Sequence, residues 1–280
     1  MVRETVRILA LSSALLGVGG HSVSAQTVPY ITLASTTSTE NSGFFSHILP
    51  VFETAKGISV RVVAVGTGQA IRLAERGDAD VLLVHHKPSE ENFVEKGYGI
   101  KRYDLMFNDF VVVGPEDDPA RISGAAKVTG AFALISDRRA VFASRGDNSG
   151  THKAELSLWQ KIQVNVSKVS GTWYREVGAG MGATLNIAAG MNAYTLVDRA
   201  TWMSFKNKGA HKILFQGDPV LFNQYGVIAV SPRRHPHIKA GLADEFIRWL
   251  ISDEGQRSIS NFTIAGQPVF KPNASRTPTR

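Results

Sequence analysis

The sequence predicts an α/β protein of two lobes, each a mostly parallel sheet flanked by helices, joined by crossover strands. Three observations predict it. Short apolar runs alternate with segments of helical periodicity along most of the chain. Four strand ends pass through Gly/Ser/Thr turns into helix starts, as βαβ units do. A late apolar run at 226–230 leads into a final amphipathic helix, so the chain leaves one lobe and returns to it.

The elements follow in order. Residues 30–34 read as a strand ending in the turn Ser35-Thr36-Thr37-Ser38-Thr39. A helix follows with Phe44, Phe45, Ile48, Leu49 and Phe52 on one face, and Pro50 is expected to kink or split it. Residues 60–65 form a second strand. Gly66-Thr67-Gly68 then opens a helix carrying Ala70, Ile71 and Ala74, stopped by Gly77. Residues 80–84 form a third strand, and 109–114 a fourth that crosses to the second lobe.

The second lobe is expected over 115–218. It holds strands at 140–143, 173–177, 193–197 and 212–215. One helix buries Ala154, Leu158, Trp159 and Ile162, another runs from the Gly-rich turn at 178–182 to Gly190, and a third is capped by Asp198. The first lobe comprises 26–114 and the return segment 219–280. Its last helix buries Leu242, Phe246, Trp249 and Leu250. The Pro/Ser/Thr-rich tail from Lys271 is expected to be loose.

Residues 1–25 read as a cleaved signal peptide. Arg3 and Arg7 precede an apolar run over 8–20, and Val23-Ser24-Ala25 is a small-residue cleavage site. An apolar run of this length falls short of the roughly 20 residues a membrane span requires. The chain has no cysteine, which excludes disulfides and thiolate metal sites. Its net charge of +7 favours anions in general, but the basic residues are dispersed with no basic-aromatic stripe, so no nucleic acid is expected as a partner.

The chemistry concentrates in the turns, above all Ser-Arg-Gly-Asp-Asn-Ser-Gly-Thr at 144–151. A helix N-terminus carries unpaired N–H groups and about half a positive charge. Glycine lets the backbone approach a ligand, and Ser and Thr add rotatable donors. Arg145 adds a permanent charge on a planar fork. In an open α/β sheet the strand ends face the ligand crevice. Thr36, Thr37 and Ser38 are therefore expected opposite Arg145, Ser149 and Thr151, with four helix N-termini converging. Each turn alone is more often a simple cap; four in one chain make the case.

Other chemistries fit less well. No dinucleotide or phosphate-loop fingerprint is complete. His85-His86 and His235-Pro-His237 lack a third metal ligand at telling spacing. Ser149, His152 and Asp147 contain the letters of a hydrolase triad, yet lie too close in sequence for its geometry. A secreted hydrolase using Ser149 and His152 is the alternative from another class.

Seven segments together resemble the periplasmic tungstate-binding proteins of ABC importers: A-S-T-T-S-T-E-N-S-G from Ala34, V-V-A-V-G-T-G-Q-A from Val62, D-V-L-L-V-H from Asp80, N-D-F-V-V-V-G-P from Asn108, S-R-G-D-N-S-G-T-H-K from Ser144, G-M-G-A-T-L from Gly180 and Y-T-L-V-D-R-A-T-W from Tyr194. The resemblance implies a two-lobed type II periplasmic-binding-protein fold that closes on a tetrahedral oxyanion. It implies anion contacts from Thr36, Thr37, Ser38 and Arg145, and from Thr151 at the end of the loop motif. Thr67, Ser149 and Thr184 sit in matching motifs. The position after Asp147 is often acidic in the family and is Asn148 here, with little effect expected on the ligand. The implied ligand is tungstate, with molybdate or another tetrahedral oxyanion as the alternative. The implied partner is an ABC permease with its ATPase, in the periplasm. No cofactor, resident metal or catalytic activity is expected, and the protein is expected to act as a monomer.

Overall fold

The computed structural model describes residues 28–274. The expected signal peptide and the last six residues lie outside them. The chain runs β1 (Tyr30–Thr36), α1 (Thr37–Asn41), α2 (Phe44–Lys56), β2 (Ser59–Val65), α3 (Thr67–Glu75), β3 (Val81–Val84), α4 (Lys87–Glu95) and β4 (Gly99–Pro115). Then come α5 (Val128–Asp137), β5 (Phe142–Ser144), α6 (Gly150–Lys161), β6 (Tyr174–Glu176), α7 (Met181–Met191), β7 (Thr195–Asp198), α8 (Arg199–Ser204) and β8 (His211–Phe215). It ends with β9 (Phe222–Val230), α9 (Ala240–Leu250), α10 (Asp253–Ser260), β10 (Thr263–Ile264), β11 (Gln267–Pro268) and β12 (Lys271–Pro272). No helix among the described residues is long and apolar enough to cross a membrane.

The first lobe is a sheet in the order β12-β4-β9-β3-β1-β2. Strand alternation sends Leu33, Val81, Leu83 and Val227 to a core shared with α2 and α9. It sends Ala34, Leu82, Val84 and Ile228 to the opposite face, against Ala70, Ala74 and Phe93 of α3 and α4. Helices thus cover both faces, as expected. The sheet is mixed rather than mostly parallel: β1 pairs with β2 and β3 in parallel, but β9 is antiparallel to both β3 and β4. The cause is the crossover. A chain that leaves on one strand and returns on its neighbour must run the opposite way.

β4 carries that crossover. Its first part pairs with β9 through Asp109, and from Phe110 it pairs with β7 and β8 of the second lobe. There Val112 joins α5 and α6 around Phe132 and Trp159. Val111 and Val113 face Met181 and Leu185 of α7. The second-lobe strands are mixed as well: β4 meets β7 and β8 antiparallel, while β5 and β6 are parallel.

Three other expectations are corrected. Pro50 does not split α2, which runs unbroken through it. The proline sits on the solvent face, while Phe44, Phe45, Ile48, Leu49 and Phe52 bind both halves to one core. The strand expected at 109–114 begins ten residues earlier, and the return strand expected at 226–230 begins at Phe222. Their hidden parts carry Arg102 and Asn223, polar groups whose partners Glu90 and Asn108 lie 12 and 115 positions away. The tail is anchored at its start: Lys271 and Pro272 pair with β4, and Asn273 exchanges side-chain hydrogen bonds with Gln224.

Candidate functional site

Four helices begin at the cleft between the lobes, α1 and α3 from one and α6 and α7 from the other. They meet in pairs. Thr67 Oγ1, at the start of α3, accepts a 2.9 Å hydrogen bond from Gly150 N, at the start of α6. A side chain at Gly150 would meet Thr67 Oγ1 at 3.1 Å and the His85 carbonyl at 3.2 Å, so anything larger than glycine crowds this approach. At the other pair, a Cβ on Gly180 of α7 would stand 3.7 Å from Thr37 Oγ1 of α1. The expected convergence of four N-termini is present.

Arg145 ties the halves together. Its guanidinium is 2% exposed, and Nη1 donates to Ser38 Oγ across the cleft at 3.1 Å. Nε and Nη2 donate to Asp147 Oδ2 at 3.1 and 2.5 Å. The other Asp147 oxygen accepts from Ser149 N at 3.1 Å. Asp147 is therefore both ion partner and loop brace. The loop turns through left-handed backbone at Gly146 and Asn148, φ +60° and +57°. A Cβ at Gly146 would press to 3.0 Å from Glu176 Cβ. Asparagine tolerates left-handed backbone better than most residues, which accounts for Asn148.

The expected hydroxyls fall into two groups. Several accept a hydrogen bond from a neighbouring donor, and Thr36 Oγ1 is also paired with Thr39 Oγ1 at 2.8 Å. Thr36 caps α1 by accepting from Thr39 N, and Ser149 caps α6 by accepting from His152 N. Ser38 accepts from Arg145, and Thr67 from Gly150. Two others, Thr37 Oγ1 and Thr151 Oγ1, are buried with no hydrogen-bond partner. A buried hydroxyl left unpaired costs about 1–3 kcal/mol, so such groups are rare unless something meets them. Thr184 behaves differently. Its hydroxyl turns back to Gly180 O at 3.2 Å within its own helix.

Beside Arg145 the cleft opens into a cavity of about 310 Å3, lined by Thr37, Gly66, Gln69 and Arg72 on one side and Asp147, Asn148 and Gly178–Gly180 on the other. Gln69 and Arg72 escaped the sequence reading, although their three-residue spacing after Gly66 puts both on one face of α3. Arg72 takes part in no ion pair among the described residues. Behind Ser38, Thr201 Oγ1 lies 3.4 Å from the Ser38 carbonyl and donates to Asp198 Oδ2 at 2.6 Å. Asp198 also caps α8, as the sequence led one to expect.

The discounted histidines have other work. His235 and His237 donate through Nε2 to Glu75 O and Gly77 O, at the C-terminal end of α3. His85 is sealed against Tyr225 and hydrogen-bonds Asn223 Oδ1 at 3.0 Å. Burial lowers it to about 4, so it is neutral at pH 7. No cluster of three metal-ligating side chains occurs among the described residues. The triad letters do not form a triad: the His152 ring accepts from Asn148 N through Nδ1, and Ser149 Oγ is engaged with backbone.

Two lobes closing on a cleft ringed by helix N-termini define a two-lobed solute-binding protein of the type II periplasmic-binding-protein fold. The chain belongs to the PBP superfamily, whose domain model matches residues 21–254. It is 44% identical over 250 residues to the tungstate-binding protein TupA of Peptoclostridium acidaminophilum, covering 88% of this chain and 86% of that one. Among solved structures it is similar to the tungstate-binding protein TupA from Desulfovibrio alaskensis, at 43% identity, TM-score 0.76, and coverage of 88% and 100% of the two chains. It is also similar to the tungstate ABC transporter protein from Geobacter sulfurreducens, at 45% identity, TM-score 0.76, and coverage of 83% and 98%.

Proposed function

We propose that this chain is an exported solute-binding protein that captures tungstate between its lobes and delivers it to an ABC permease driven by an ATPase. The observation that carries the reading is the pair of buried, unpartnered hydroxyls, Thr37 in one lobe and Thr151 in the other, at helix N-termini that flank Arg145. The tungstate-binding relatives supply the ligand class. Ser38, Thr36, Thr67 and Ser149 add O–H donors, and Thr184 acts by bracing the start of α7. The lobes are assigned to 26–114 with 219–280, and to 115–218; β4 spans the junction and changes partners between Asp109 and Phe110. Residues 1–25 direct export to the periplasm and are removed, and the mature protein works as a monomer without catalysis.

Selectivity follows from the donor set. Sulfate and phosphate are smaller than tungstate and leave donors badly paired, at about 1–3 kcal/mol for each buried donor left unmet. Monoprotonated phosphate also needs an acceptor, and the nearest carboxylate, Asp147, is already held by Arg145 and Ser149 N. Calorimetric titration with tungstate, molybdate, vanadate, sulfate and phosphate tests the reading. Strong binding is expected for tungstate, with molybdate as the closest competitor. Binding of sulfate or phosphate without tungstate would sink it.

Closure also has bonds of its own. Lys153 Nζ on α6 donates to Ser89 Oγ on α4 at 3.0 Å, between lobes. A net contribution of about 1 kcal/mol corresponds to roughly fivefold in affinity. Lys153→Ala is therefore expected to weaken tungstate binding by about that factor through a faster off-rate, read by stopped-flow fluorescence. An unchanged off-rate would mean that the bond does not differ between open and closed forms.

A further inference from the structure

One buried charge in the second lobe is unexplained by packing. Glu155 of α6 is 2% exposed and forms no ion pair among the described residues. Its oxygens accept three hydrogen bonds, from Ser144 Oγ at 2.7 Å, Tyr174 OH at 2.7 Å and Trp159 Nε1 at 2.9 Å. Trp159 Nε1 can only donate, whereas the Ser144 and Tyr174 hydroxyls can also accept; a carboxylate takes all three as donors, which fixes the direction of both hydroxyls. Sealing a carboxylate without a cation is costly, and the three hydrogen bonds only partly offset it.

The bonds lead to the anion loop. Ser144 Oγ, donating to Glu155, also accepts from Gly146 N at 3.3 Å. Arg145 lies between those two residues. Its carbonyl accepts from Gly178 N at 2.8 Å, and the Ser144 carbonyl accepts from Val177 N at 2.9 Å. Glu155, acting through Ser144, thus fixes the backbone on both sides of the arginine that reaches across to Ser38.

We infer that Glu155 is the positioning residue that holds Arg145 in place for the bound oxyanion. The inference rests on the tungstate reading. The carboxylate form orients the Ser144 hydroxyl toward itself, which leaves the Ser144 lone pairs for Gly146 N.

Protonation is the lever that exposes this role. The groups facing Glu155 are Trp159 on its own helix, Ser144 on β5, and Tyr174 and Glu176 on β6. Burial pushes its carboxyl up to about 7, and the Glu176 charge adds to the shift. Below that pH the group gains an O–H, the Ser144 hydroxyl must turn from donor to acceptor, its bond from Gly146 N then competes for the same oxygen, and the loop loosens. His85 and His86, each lowered to about 4, do not titrate in the same window.

The test uses the full mature chain and sodium tungstate, with Kd and off-rate measured from about pH 6.5 to 9. Wild-type affinity is expected to weaken several-fold as pH falls through that window. Glu155→Gln is expected to bind about ten- to a hundredfold more weakly at the alkaline end, the range lost when a ligating group loses its orienting partner, with a faster off-rate and a flat pH profile. Ser144→Ala, which keeps the acid and cuts the relay, is expected to show the same weakening and serves if the first variant fails to fold. Folded variants with wild-type Kd and pH profile would overturn the inference. A wild-type protein that ignores tungstate would instead overturn the reading beneath it.

Discussion

Arg145→Ala is expected to raise the tungstate Kd by at least about a thousandfold, the largest single effect at the site. A guanidinium has five N–H donors. Three are committed, two to Asp147 and one to Ser38, which leaves two for an anion. Hydrogen bonds to charged groups contribute about 1.5–3 kcal/mol each, so losing both removes about 4 kcal/mol, or three decades. The same substitution is expected to lower the melting temperature of the ligand-free protein. It strands Asp147, whose side chain is only 15% exposed, beside a single remaining backbone donor. The double variant Arg145→Ala with Asp147→Asn separates the two effects: melting recovers, binding does not. Calorimetry gives the first quantity and thermal melting the second. Binding within tenfold of wild type in Arg145→Ala would place the anion elsewhere.

That dual role was only half legible in the sequence. The motif at 144–151 announced a charged loop at a helix start, and Asp147 was readable as its brace because an acid two residues from an arginine can fold back on it. The reach from Arg145 to Ser38 spans 107 positions, and no local pattern encodes it. The same contrast runs through the fold. Elements with apolar periodicity, such as α2 and α9, could be read directly. α4 could not: its nine residues bury only Glu90 and Phe93, and Glu90 is held by Arg102 from the next strand. The sheet was read as mostly parallel because each βαβ unit suggests it, whereas the direction of β9 depends on where the crossover returns. Glu155 was invisible for a related reason. It sits between Ala154 and Leu158 in an ordinary helical pattern, and its importance comes from Ser144 and Tyr174, which lie on two other strands.

The second large effect reverses the usual link between stability and function. Thr37→Val and Thr151→Val each keep the shape of the side chain and remove a hydroxyl that is buried without a partner. For the ligand-free protein the change deletes an unmet polar group, so melting should hold or rise slightly. For the complex it deletes a donor to an anion oxygen, so Kd should rise about ten- to a hundredfold per variant, at roughly 1.4 kcal/mol per decade. The two effects are read together by melting each protein with and without tungstate, because the ligand-induced shift follows RT ln(1 + [L]/Kd). Thr37 and Thr151 sit on opposite lobes, so their losses should be close to additive unless closure itself fails. A double variant that loses more than the sum would mean that the anion no longer holds the lobes shut. A variant that melts earlier without ligand would mean that its hydroxyl has a partner in the free protein. If either variant binds tungstate as well as wild type, that hydroxyl is not a ligand, and the anion is held by Arg145, Ser38 and the helix N–H groups alone.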